Sequence, residues 1–101
     1  MFPHPVDTST LRTADHRHVP AFAQLLPDVI RAEPGAVVHV DAVSRLLRSC
    51  CLRHKVEPIP LGTARRLMRA TGFRLTKDAN ADTWFVHDVA LVRSPRITRS
   101  R

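Results

Sequence analysis

Three groups of side chains in this sequence have types and spacings that could do chemistry. The first is Cys50, Cys51 and His54, where positions 50 and 54 stand one helical turn apart and could offer a thiolate and an imidazole to a metal. Two ligands on one helix are half a site, and His16 and His18 would complete it only if the start of the chain folded back. The simpler reading is a pair of buried helix cysteines, so no metal and no cofactor are expected. Adjacent in sequence, the two thiols build neither a disulfide framework nor a metal knuckle, which suits a reducing compartment. The second group is the acids. Nine Asp and Glu spread along a short chain offer neither a carboxylate pair nor a nucleophile with its base, so an enzyme is not expected. With glycine only at Gly35, Gly62 and Gly72, there is no phosphate-cradling loop either.

The third group is the arginines. Lys and Arg number 16 against 9 Asp and Glu, a formal charge of +7 on 101 residues, and only Lys55 and Lys77 are lysines. Arginine richness can reflect codon bias, but bias would scatter the charge evenly. Residues 42–77 hold nine Lys/Arg (45, 48, 53, 55, 65, 66, 69, 74 and 77) against Glu57 alone, a net +8. Residues 1–41 carry −2, residues 78–92 carry −3, and the tail 93–101 carries +4. Near-exclusion of acid from one stretch points to a surface facing a polyanion, with nucleic acid the first suspect.

These residues need elements to position them. At 44% hydrophobic and 25% charged, the composition is that of one folded domain, with no room for a second core. Residues 1–18 lack apolar periodicity and read as a flexible lead. From Val19, Phe22, Leu25, Leu26, Val29 and Ile30 recur at helical spacing until Pro34-Gly35, with Pro27 expected to kink or split this helix. Ala36–Val40 is β-branched and short, a strand or extended lead-in, with Asp41 as N-cap of the next helix. That second helix spans about 42–54, with Val43, Leu46, Leu47, Cys50 and Cys51 as its apolar stripe. A third follows from Pro60 to about Thr71, apolar along Leu61, Ala64, Leu67, Met68 and Thr71, with Gly62, Arg66 and Arg69 opposite and Thr63 and Arg65 flanking them. Gly72 suits a left-handed helix end. Phe73–Thr76 and Thr83–His87 then alternate as the strands of a hairpin, and Val89–Val92 either continues the sheet or bends back across the core.

Two helices joined by a short turn, the second cationic and followed at once by a hairpin, is the order of a winged helix-turn-helix. The fold class read from the sequence is therefore α+β: three helices plus a C-terminal β-hairpin wing over residues 19–92, with a flexible basic tail at 93–101. Helix 60–71 would enter the major groove of double-stranded DNA and hairpin 73–87 would flank it. Arg66 and Arg69 are the primary contacts, since a guanidinium meets guanine or phosphate with two hydrogen bonds. Thr63 and Arg65 flank them, Arg45, Arg48 and Lys55 face phosphates, Arg74 and Lys77 serve the wing, and Arg93, Arg96, Arg99 and Arg101 of the tail reach phosphate or the minor groove.

The stretch from Val40 to Val92 also resembles a known family, the C-terminal winged-helix domain of the primase-helicase proteins of phages, plasmids and poxviruses. Pro58-Ile59-Pro60 stands where that family opens its recognition helix, Gly72-Phe73 where the helix ends, Trp84-Phe85 on the wing strand, and Leu46-Leu47-Arg48-Ser49-Cys50-Cys51 in its second helix. Ala64 replaces a large aromatic, the wing has no Gly-rich turn, and no helicase precedes the domain. The resemblance implies a DNA-binding module of a mobile element, a transcriptional regulator or replication accessory, without primase or ATPase activity.

The alternative from another class is a protein-interaction module, a phage factor that binds a host or defence protein, for which Trp84, Val86 and Leu91 are the candidate apolar contacts. Packing against helix three is the simpler role for Trp84, and Phe22, Phe73 and Phe85 read as core. With few aromatics to stack on bases, RNA is a lesser candidate than DNA. No run reaches the roughly 18 to 20 apolar residues of a membrane span, and Met1–Pro5 does not open a secretory signal, so the expected location is the cytoplasm, that of the host cell if phage-encoded. A homodimer fits palindromic half-sites, but no coiled coil or long extra helix marks one.

Overall fold

The computed structural model describes residues 11–92. Its elements are a 3-10 segment Thr13–His18, helix α1 (Val19–Leu25), a 3-10 turn Leu26–Asp28, strand β1 (Ile30–His39), helices α2 (Val40–Arg53) and α3 (Leu61–Thr71), and strands β2 (Leu75–Lys77) and β3 (Trp84–Leu91). The three strands form one antiparallel sheet in the order β1-β3-β2. The described residues thus form an α+β fold of three α-helices and a three-stranded sheet. Among the described residues no helix is long and apolar enough to cross a membrane.

The first helical run ends earlier than its apolar spacing predicts. Pro27 cannot donate a backbone hydrogen bond, so α1 stops at Leu25 and the chain turns through Leu26–Asp28. Val29 and Ile30 are buried as expected, but Ile30 already begins β1, paired with Leu91. Tertiary pairing overrides the helical period there. Pro34-Gly35 marks an irregularity inside the strand rather than a helix stop. The register shifts between Ala32 and Val37, Gly35 takes φ +87°, and its N–H donates to Asp88 Oδ1 at 2.9 Å. Such an irregularity tolerates a proline that a regular inner strand would not. Asp41, expected as N-cap, lies in the first turn of α2, where its charge still complements the helix dipole.

The core is built from Phe22, Leu25, Leu26, Val29 and Ile30, the inner stripe of α2 (Val43, Leu47, Cys50, Cys51), Ile59 of the connector, Ala64, Leu67 and Met68 of α3, and Val86 and Val89 of β3. Phe73 and Phe85 are half-buried at its edge, and β3 runs on to Leu91 in the sheet. Gly72 ends α3 with φ +106°, its N–H bonded to Arg69 O and that of Phe73 to Met68 O. That left-handed residue turns the chain from α3 into β2, so the hairpin leaves directly from the cationic helix.

The beginning of the domain departs most from the sequence reading. Residues 13–18 are not a loose lead: Asp15 and His18 are buried, and Leu11 packs against the core. The ordered unit therefore starts before Val19. The remainder of the proposed lead, residues 1–10, and the basic tail lie outside the described residues.

Candidate nucleic-acid interface

Helix α3 divides its cations between two neighbours. On one side Thr63 and Arg66, three residues apart, meet Asp15. Arg66 donates from Nε to Asp15 Oδ2 at 2.7 Å and from Nη2 to Oδ1 at 2.9 Å, and Thr63 Oγ1 donates to Oδ1 at 2.8 Å. The backbone N–H of Arg12 adds a fourth bond to Oδ2 at 3.1 Å. Hydrogen bonds from Arg66 above all, then from Thr63 and Arg12, outweigh burial and hold the Asp15 carboxyl well below the usual carboxylate range. Asp15 in turn pushes the Arg66 guanidinium up. Of these two expected contacts, Thr63 is buried and bonded to Asp15, and Arg66, partly exposed, gives its Nε and Nη2 to the same carboxylate.

On the other side Arg65 and Arg69, four residues apart, lie over Trp84 of β3. The Arg65 Cζ is 4.9 Å and the Arg69 Cζ 5.3 Å from the ring centroid, and Lys77 Nζ, from the β2 residue paired with Trp84, is at 6.0 Å. Lys77 also meets Asp82 at 3.1 Å. Among the described residues neither Arg65 nor Arg69 has a carboxylate partner. Like charges at i, i+4 repel, and attraction to the indole face offsets that repulsion. Trp84 is half-buried at the edge of the core and meets α3 through the two guanidiniums.

The remaining candidates are dispersed. Arg45 and Arg48 are exposed on α2, Lys55 is exposed just after it with φ +59°, and Arg74 is exposed before β2, its carbonyl accepting from His87 N–H at 3.0 Å. Arg93, Arg96, Arg99 and Arg101 lie outside the described residues. The hairpin tip is acidic, with Asp78 and Asp82 in the turn that Asp78 N–H closes onto Thr83 O at 2.9 Å.

Of the apolar residues that a protein-capturing surface on α3 or the hairpin would use, Leu61 of α3 is exposed, whereas the three candidates on β3 are not. Val86 is fully buried, Leu91 half-buried, and Trp84 lies against cations. No protein-family model matches the chain, and neither does any curated protein.

Elsewhere, a cavity of about 370 Å³ opens between α1 and the α2–α3 connector, with the Arg17–Glu57 ion pair, His18 and His54 among its lining. The two cysteines are buried as expected, and burial pushes the Cys51 thiol up, away from nucleophilic use. The chain does fold back at His16 and His18, yet among the described residues no three His, Cys, Asp or Glu gather as metal ligands would.

Proposed function

We propose that this chain binds double-stranded DNA as a small winged helix-turn-helix protein, acting for a phage or related mobile element as a transcriptional regulator or replication accessory. The observation that carries the reading is unneutralised charge. Of the nine Lys/Arg in residues 42–77, only Arg66 and Lys77 have a carboxylate partner among the described residues, which leaves seven without one. Those seven lie on α2, on α3 and in the connectors that follow them. Such a concentration raises the local potential and draws a polyanion, and its counterpart on a duplex is the phosphate backbone.

The order α1-β1-α2-α3-β2-β3 supports the winged reading, because it sets the hairpin directly after the second helix of the helix-turn-helix. In that arrangement α3 fits a groove about 12 Å wide and β2–β3 flanks it. The buried Val86 and the cation-covered Trp84 favour this reading over the capture of a host protein. Salt-dependent binding of the chain to a short labelled duplex tests it, and absent binding at low salt refutes it.

A further inference from the structure

Within that DNA-binding reading, we infer that Arg65, Arg69 and Trp84 form a clamp for a single backbone phosphate. The two guanidiniums come from successive turns of α3, where i, i+4 neighbours have Cβ atoms about 5–6 Å apart, a spacing that lets both forks reach one phosphate. The indole holds them from the hairpin side at 4.9 and 5.3 Å, so they are ordered before the anion arrives and lose less freedom on binding. Two guanidiniums beside one ring with no carboxylate between them lack only the anion that would neutralise them.

The other charged groups nearby fix the composition of the clamp. Lys77 also approaches the ring but is held by Asp82, and Arg66, three positions before Arg69, is turned away from the ring to Asp15. The cations of the clamp are thus Arg65 and Arg69 alone, at the root of the hairpin rather than at its acidic tip. A phosphate contact positions a protein on the duplex without reading its sequence. The structure accordingly assigns this face of α3 to docking rather than to base selection, the phosphate alternative of the two contacts expected of Arg69.

Trp84 is the single tryptophan of the chain, so its emission reports the site directly. The full chain is titrated with inorganic tripolyphosphate and, separately, with two short duplexes of unrelated sequence at several salt concentrations. The wild type is expected to show a saturable change in Trp84 emission with tripolyphosphate that disappears in Arg65→Gln/Arg69→Gln. That double variant should weaken both duplexes by the same factor and reduce the salt slope by about 1, the value for one lost phosphate. Arg69→Gln alone serves as a milder variant, and Trp84→Phe, read by duplex anisotropy, should lie between wild type and the double variant. A slope reduced by about 2 would mean two separate phosphates, and an unchanged slope or a loss confined to one duplex would mean no phosphate contact; each overturns the clamp. If neither duplex binds, the DNA reading fails, and the tripolyphosphate titration decides the clamp independently.

Discussion

Asp15 and Arg66, separated by 51 positions in sequence, share a two-pronged ion pair of 2.7 and 2.9 Å that fastens the segment Thr13–His18 onto α3. The Asp15 side chain is almost wholly buried, while that of Arg66 remains 27% exposed. The pair therefore acts as a bolt between the Thr13–His18 segment and the helix, and it partly neutralises a cation that helical spacing alone would offer to a ligand.

Breaking this bolt should cost far more than removing a neighbouring arginine. Arg66→Ala leaves a buried carboxylate with only Thr63 and a backbone N–H, and is expected to destabilise the fold by about 2–3 kcal/mol. Arg65→Ala, which strands no buried partner, should stay within about 0.5 kcal/mol. Urea midpoints of the two variants check the contrast, and equal midpoints would show that the Asp15 pair contributes nothing.

The same pair sets a direction for acid sensitivity. The Asp15 carboxyl ionises well below its ordinary value of about 4 when folded, so on acidification the unfolded chain takes up a proton that the native chain refuses. Its stabilisation is fully present above about pH 5 and is lost as the pH falls through the unfolded value towards the folded one, by at most about 1.4 kcal/mol per pH unit. Asp15→Asn lacks this contribution, so its stability should decline less steeply than that of the wild type between pH 5 and pH 3 in urea titrations. Parallel declines would contradict the assignment.

Much of the architecture was legible because local signals and tertiary structure agree. The apolar stripe Val43, Leu47, Cys50 and Cys51, the break at Pro27, the left-handed Gly72 and the alternation that begins at Phe73 each specify a local conformation that the fold retains. Strand β1 was under-read because Val29 and Ile30 satisfy both a helical and a strand pattern, and only pairing with β3 decides between them. Asp15 was missed for a different reason. A lone acid among polar residues carries no periodic signal, and its partner lies on another element. The engagement of Thr63 and Arg66 by Asp15 is therefore not legible in helical spacing, whereas Arg65 and Arg69 come together because Trp84 brings the hairpin against α3.

The helix end offers a backbone test that does not depend on function. At Gly72, with φ +106°, a β-carbon is strained, so Gly72→Ala should destabilise by about 1 kcal/mol. Gly72→Asn should cost less, because asparagine tolerates the left-handed region better. Thermal denaturation ranks the two, and a neutral Gly72→Ala would mean that the chain leaves α3 by another path.

If the chain binds DNA as proposed, Asp82 competes with the duplex for Lys77. The side chains are 50% and 89% exposed, so their contact adds little to stability, yet it neutralises a cation beside the clamp and places negative charge near the path of the backbone. Asp82→Asn should therefore tighten duplex binding several-fold and steepen its salt dependence by up to about 1, with an unchanged melting temperature. Weaker binding in this variant would remove the hairpin root from the interface.

The central claim is that the +8 stretch is a duplex-facing surface, and its most direct test is fluorescence anisotropy of a short labelled DNA duplex titrated with the full chain from about 50 to about 200 mM salt. The account predicts that log affinity falls linearly with log salt, at about −0.9 per neutralised phosphate and about −3 or steeper in total. No binding at the lowest salt, or an affinity indifferent to salt, would contradict it.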